Sequence, residues 1–278
     1  MTEKTFDVTI ENAVAHVRLC RPEKANSMTP AFWTDFPAAI DRISADGEAR
    51  VIVLSGEGKH FSSGMDVSVF MAGALDRDPE NPQASAEAFR HKILGLQRAF
   101  SALEDARQPV LAALQGGVIG GAVDMVAAVD CRYAAEDAYF CVQETAIGMT
   151  ADVGAFPRLA RIAPEGWVRQ MVYTAESVPA AKAKEIGLVN EVYADAEATL
   201  AATMETAARI AAHAPLAVAG AKRMMNYARD HSTADALDYV ALWNAAMRRP
   251  DYLREAYEAK AAGRAPNFDG LKPLRDGV

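Results

Sequence analysis

The chain has 278 residues, 51% hydrophobic and 24% charged, with a net charge of −8 at pH 7. This suits a globular chain with a large core, as one big domain or a domain plus an appendage. The absence of a lysine- or arginine-rich stripe argues against nucleic acid or an anionic membrane as main partner. Three scattered cysteines, Cys20, Cys131 and Cys141, with no C-x-x-C pair, argue for reduced thiols and against a disulfide scaffold or structural zinc.

Residues 6–10 and 14–19 alternate around Glu11-Asn12 and read as a hairpin. Pro30 opens a helix to about Ser44, with Thr29 as its cap. Residues 50–55 are a β-branched run, hence a buried strand, and residues 56–64 form a glycine-rich loop. Residues 71–85 hold Pro79, Pro82 and several acids and read as an exposed loop. Phe89, Ile93, Leu96, Phe100 and Leu103 then recur at helical spacing until Pro109 ends the helix. Residues 110–114 read as a buried strand, and short strands follow near 131–134 and 139–143. A helix over 179–186 leads to a strand over 188–193. Beyond Asp195 only helical patterns remain, over 196–212, 215–229, 233–247 and 251–262. The class is therefore α/β up to residue 195, with a helical region from 196 to 278.

The run Gln115-Gly116-Gly117-Val118-Ile119-Gly120-Gly121-Ala122-Val123-Asp124 is the most informative segment. It joins the strand at 110–114 to a buried helix near 125–129, so bare backbone and free N–H groups meet at a helix start. It lacks the spacing of a dinucleotide fingerprint, and Gly56-Glu57-Gly58-Lys59-His60 lacks the Ser or Thr of a phosphate loop. Nor does Gly64 sit in a nucleophile elbow, and the five histidines show no metal-ligand spacing, so no metal is expected. Two glycine turns remain, Phe61-Ser62-Ser63-Gly64-Met65-Asp66 and Gly120-Gly121. They are either two tight turns without a ligand, the commoner case, or together an oxyanion hole. Three carboxylates stand among apolar residues: Asp124, Glu144 and Asp152. Poor solvation there raises a pKa toward the range useful for proton transfer. Each has a bland alternative too: a dipole partner for Asp124, a surface acid for Glu144 and a helix cap for Asp152.

Taken together these segments resemble the crotonase (enoyl-CoA hydratase/isomerase) superfamily over nearly the whole chain. The likeness rests on Arg21-Pro22-Glu23-Lys24-Ala25-Asn26-Ser27-Met28, His60-Phe61-Ser62-Ser63-Gly64-Met65-Asp66, the Gly120-Gly121 turn, the Glu144 loop and Ala183-Lys184-Glu185-Ile186-Gly187-Leu188-Val189, in family order. It implies a spiral of ββα units, a helical C-terminal region used in trimerisation, and a homotrimer or dimer of trimers. It also implies an acyl-CoA thioester as substrate, with coenzyme A entering as part of that substrate and no separate cofactor. The N–H groups of Met65 and Gly121 would hold the thioester oxygen. Lys24, Ala25, Asn26, Lys59 and Ser63 would lie along the CoA, with Lys260 or Arg264 adding a C-terminal cation. The stretch from Gln115 to Leu159 is most similar to 3,5-dienoyl to 2,4-dienoyl-CoA isomerases, through Asp124, Glu144 and Ala151-Asp152-Val153-Gly154. That likeness implies that Asp152 takes a proton from the α carbon, Glu144 delivers one to the ε carbon, and Asp124 orients or polarises.

Typical hydratases of the family carry Glu where this chain has Asp124, so water addition to a 2-enoyl-CoA is the alternative. A non-catalytic RNA-binding or scaffold role is a further one, against which the three acids and the missing basic stripe argue. Gln115-Gly116-Gly117 departs from the family's usual N-G or H-G start. Residues 1–7 hold no apolar targeting core, the last four are not a peroxisomal signal, and no apolar run is long enough to span a membrane, so a cytoplasmic protein is expected.

Overall fold

The computed structural model describes residues 4–71 and 79–274. Strands β1 (Phe6–Glu11) and β2 (Val14–Leu19) form the expected hairpin, closed at Asn12 and Ala13, both at positive φ. Next come α1 (Phe32–Asp46), β3 (Val51–Gly56), α2 (Val67–Met71), α3 (Pro82–Asp105), β4 (Val110–Leu114), β5 (Gly117–Ile119), α4 (Gly121–Ala127), β6 (Cys131–Ala135) and β7 (Tyr139–Cys141). The chain continues through α5 (Ala155–Leu159), α6 (Glu165–Thr174), β8 (Val178–Pro179), α7 (Ala180–Glu185) and β9 (Glu191–Tyr193). Four longer helices end it: α8 (Ala196–Ala211), α9 (Pro215–Ala228), α10 (Thr233–Met247) and α11 (Pro250–Ala261).

Two sheets organise these elements. The larger runs β1-β2-β3-β4-β6-β9 and is parallel from β2 onward. The smaller runs β5-β7-β8, with β5 and β7 parallel. Only Gln115 and Gly116 separate β4 from β5, and residues 136–138 separate β6 from β7. The chain thus steps twice from the large sheet to the small one, which makes the expected spiral of ββα turns. The functional loops sit on the small sheet, at the ends of β5 and β7.

The large sheet is covered on both faces, which is why β3 and β4 read as continuous apolar runs. On one face lie α1 and α3, with Phe32, Phe36, Ile40, Phe100 and Leu103 fully buried and Phe32 stacked on Phe36 at 4.7 Å. On the other lies α8, whose Leu200, Met204, Ala207 and Ala211 pack on Val14, Val51, Val53, Leu111 and Tyr133. The expected boundary at residue 195 therefore runs through a packed unit, because α8 covers the sheet that precedes it. The apolar residues left exposed on the helices after α9 include Leu237, Leu242, Leu253 and Tyr257.

Two local expectations change. Helix α3 begins at Pro82, where the Asn81 side chain accepts from the Ala84 N–H at 3.3 Å, so the expected loop at 71–85 is shorter. Its residues 72–78 lie outside the described residues, as do 1–3 and 275–278 at the ends read for targeting. Part of the glycine run is strand, since Gly117, Val118 and Ile119 pair with Tyr139, Phe140 and Cys141. Among the described residues no helix is long and apolar enough to cross a membrane.

Candidate active site

The two glycine turns lie against each other. Residues 61–66 are wedged between β5 and the segment 25–28. On one side the Ser62 N–H donates to Gly117 O (3.2 Å) and the Ile119 N–H donates to Ser62 O (3.1 Å). On the other, the Ser63 N–H donates to Ala25 O, the Met28 N–H to Gly64 O and the Asp66 N–H to Met28 O, at 2.8, 2.8 and 3.0 Å. Gly64 has φ +81°, and a Cβ there would stand 2.6 Å from Ile119 O and 2.9 Å from Gly121 N. No side chain fits that approach.

Two donors are left over. The Met65 N–H points away from its bridge to Met28, and Gly121 is the first residue of α4, where N–H groups have no intrahelical acceptor. Neither makes a hydrogen bond among the described residues. They are close, since a Cβ on Gly121 would be 3.7 Å from Met65 N. Two adjacent, unspent, rigidly held N–H groups stabilise charge on a carbonyl oxygen. They open onto a cavity of about 540 Å³ whose walls include Trp33, Ile119, Ile147 and Met149 beside Glu144 and Asp152.

The three carboxylates occupy distinct positions. Glu144 opens a short 3-10 turn after β7. Its Oε1 lies over Gly120, where a Cβ would approach to 3.2 Å, and its Oε2 is buried without a partner. Asp152 is half-buried on the turn before α5, and its main-chain oxygen accepts from Gln97 Nε2 at 2.6 Å. Asp124 is 0% exposed and, unlike Gly120 and Gly121, does not line the cavity. Its Oδ1 accepts the Ala155 N–H at 2.5 Å, and its Oδ2 is buried and unpaired. Burial first, then the Glu144 charge and to a smaller extent that of Asp152, pushes Asp124 up to about 7. Burial raises Glu144, with a smaller push from Asp152, and burial raises Asp152 as well. Asp124 is therefore partly protonated at neutral pH.

Asp124 lies behind the cavity wall, tied to the Ala155 N–H, with the Glu144 and Asp152 charges acting on it. The Asn26 side chain is fully engaged. It is 3% exposed; its Oδ1 accepts the Arg21 N–H (2.8 Å), and its Nδ2 donates to Glu57 O and His60 O (both 2.9 Å). Its carbonyl accepts from Ser62 Oγ at 2.9 Å. Asn26 thus pins three loops together and has no side-chain group to offer CoA. Ser63 lines the cavity, and Ala25, whose carbonyl accepts the Ser63 N–H, and Asn26 adopt φ +48° and +52°. Lys24 and Lys59 are exposed on adjoining loops, where Gly58 backs onto Pro22. Lys260 is exposed on α11, which does not line the cavity, and Arg264 is committed to an ion pair with Glu255 at 2.6 Å.

Reading the residues missed some contributors. Arg132 is buried and donates to Val126 O (3.2 Å), Val129 O (2.7 Å) and Leu188 O (2.8 Å), which anchors the far end of α4. Gln97 and Arg158 grip the Asp152 turn from α3 and α5. The available signal was the polar stripe Gln97, Ser101 and Glu104, at i, i+4 and i+7 on α3 beside the apolar one.

The chain is similar to known proteins. The family model described as enoyl-CoA hydratase/isomerase matches residues 9–268. The mitochondrial Δ(3,5)-Δ(2,4)-dienoyl-CoA isomerase of Rattus norvegicus is 38% identical over 247 residues, covering 88% of this chain and 76% of that one. The peroxisomal Δ(3,5)-Δ(2,4)-dienoyl-CoA isomerase of Arabidopsis thaliana is 35% identical over 272 residues, covering 96% and 98%. The crystal structure of a putative enoyl-CoA hydratase from Streptomyces coelicolor A3(2) superposes with a TM-score of 0.86 at 27% identity, covering 98% of this chain and 96% of that one. With the family model spanning most of its length and both turns of the site in place, the chain belongs to the enoyl-CoA hydratase/isomerase family.

Proposed function

We propose that this chain isomerises a 3,5-dienoyl-CoA to a 2,4-dienoyl-CoA. One observation carries the choice of reaction: Glu144 and Asp152 face the cavity, whereas Asp124 is turned behind it onto the Ala155 N–H. The relatives named as dienoyl-CoA isomerases support the same reading.

In this reading the thioester oxygen lies between the Met65 and Gly121 N–H groups. Removing the α proton builds enolate charge on that oxygen, and donors already in place lower the barrier without reorganising. Asp152 takes the α proton. The electron pair spreads through the conjugated chain, the double bonds move, and Glu144 places its proton on the ε carbon. Two acids on separate loops suit a transfer whose ends lie four carbons apart. No cofactor is required beyond the coenzyme A of the substrate, which would lie along Lys24, Ala25, Lys59 and Ser63.

Hydration would need two carboxylates to hold one water in the cavity. Asp124 is shorter than the Glu of typical hydratases, buried and bonded elsewhere, so it is poorly placed for that task. The exposed leucines of α10 and α11 fit assembly as a trimer or a dimer of trimers. The unpaired thiols fit a reducing compartment such as the cytoplasm.

The test is ultraviolet spectroscopy with 3,5-octadienoyl-CoA and, separately, crotonyl-CoA. We expect growth of the thioester-conjugated diene band, abolished in Asp152→Asn and Glu144→Gln, with little loss of the crotonyl band. Loss of the crotonyl band with the diene left unchanged would make the protein a hydratase.

A further inference from the structure

We propose that Gln97 is a positioning residue for the reaction, holding the Asp152 carboxylate in place through the main-chain oxygen of Asp152. The inference rests on Asp152 being the base of the isomerase reading.

Residues 151–154 form a thin partition. The substrate cavity lies on one side, and a second cavity of about 460 Å³ lies on the other, with Asp152 and Val153 in the wall of both. Ala151 and Val153 pack in the core on either side of Asp152, while Asp152 itself is half-buried with a cavity on each face, so hydrogen bonds to its main chain help fix where its carboxylate stands. Those bonds come from one face of α3. Gln97 Nε2 donates to Asp152 O at 2.6 Å. Ser101 Oγ and Glu104 Oε2 hold the Arg158 guanidinium, at 3.2 and 2.5 Å, and Arg158 Nη1 reaches Val153 O only at 3.4 Å. The other end of the turn is held by sterics. Gly154 has φ +133°, and a Cβ there would lie 1.8 Å from Arg158 Nη1. At the Asp152 end, the bond from Gln97 is the short restraint.

The opposite face of α3 buries Ala99, Phe100 and Leu103 in the core, so Gln97 stands on a rigid base. Asp152 and its turn inherit that rigidity, and with them the Ala155 N–H that holds Asp124. Gln97 lines the second cavity and not the first, so it acts through Asp152 and has no contact with substrate. Displacing a reacting group by about 1 Å costs up to about a hundredfold in rate.

The test compares Gln97→Met, similar in length without a donor, with Gln97→Lys, which restores one. With 3,5-octadienoyl-CoA we expect Gln97→Met to lower kcat by about ten- to a hundredfold, with KM within about twofold of wild type. The thermal midpoint should be nearly unchanged, and Gln97→Lys should recover most of the lost kcat. A Gln97→Met variant with full kcat overturns the proposal. So does a Gln97→Lys variant as slow as Gln97→Met, or a loss that appears in KM alone. Should wild type form no diene, the isomerase reading fails by itself. Exchange of the α proton of 3-octenoyl-CoA with deuterated solvent then still reads Asp152 in the same three proteins, and equal exchange rates in all of them overturn the role of Gln97.

Discussion

Replacing Asp124 by Asn tests the electrostatic account most directly. The substitution keeps the shape, and the amide oxygen still accepts the Ala155 N–H; only the ability to ionise is lost. In the unfolded chain this carboxyl ionises near 3.8, whereas in the fold burial and its neighbouring acids hold it at about 7. A carboxyl raised in the fold stabilises the protein least where it must be charged. Below pH 3.8 it is protonated in both states and has no effect. Between 3.8 and 7 the unfolded chain binds fewer protons, so stability falls as pH rises, by about 1.4 kcal/mol per unit. Above 7 the loss is complete at about 4 kcal/mol, an upper figure for a group coupled to two others. Between pH 5 and 8.5 wild type should therefore lose about 3 kcal/mol relative to Asp124→Asn, whose own site does not titrate. The assay is urea unfolding of both proteins at the two pH values and one fixed protein concentration, since assembly also contributes to stability. A wild-type-to-variant difference that is flat across this range would refute the argument, because Asp124 would then be an ordinary carboxylate.

Two further substitutions probe the scaffold. Gly64→Ala drives a methyl group into Ile119 O and Gly121 N, so it should lower kcat/KM by about a hundredfold or more through loss of the oxyanion donors, read by the diene assay with circular dichroism to confirm folding. Lys222→Met removes a buried ammonium bonded to Leu103 O (2.6 Å), Gln108 O (2.9 Å) and Asp130 (3.0 Å); stranding those acceptors should cost about 3 kcal/mol in urea unfolding, with kcat unchanged in the surviving folded protein.

Much of the fold was legible because its elements carry local signatures. The hairpin shows as alternation, β3 and β4 as apolar runs, and the last four helices as periodic stretches opened by Asp195, Pro215, Ser232 and Pro250. What was missed depends on distant partners. Strand β5 has three residues inside a glycine run, and only its pairing with β7 makes it a strand. The first turns of α3, Pro82-Gln83-Ala84-Ser85-Ala86-Glu87-Ala88, bury no large apolar side chain, so helical propensity and the Asn81 cap hold them without a periodic pattern to see. The stripe Leu200, Met204, Ala207 and Ala211 looks the same in sequence whether α8 covers its own sheet or stands apart, so the packing of α8 across residue 195 onto the sheet is not legible there.

The site divides in the same way. Residue types single out Asp124 in the first turn of α4, Glu144 after β7 and Asp152 before α5, but direction is a tertiary property. Asp124 turns away from the cavity because a main-chain donor thirty-one residues later, Ala155 N–H, claims its Oδ1. That donor is where it is because α5 begins straight after the Asp152 turn, and Gln97 and Arg158 hold that turn. One structural unit thus presents Asp152 to the cavity and withdraws Asp124 from it. A family position that elsewhere carries a longer Glu is here one methylene shorter, and the turn after Asp152 occupies it. How residues 151–155 lie against α3 therefore governs which acids face the cavity, and in the proposed reading that is what favours moving a proton over adding water.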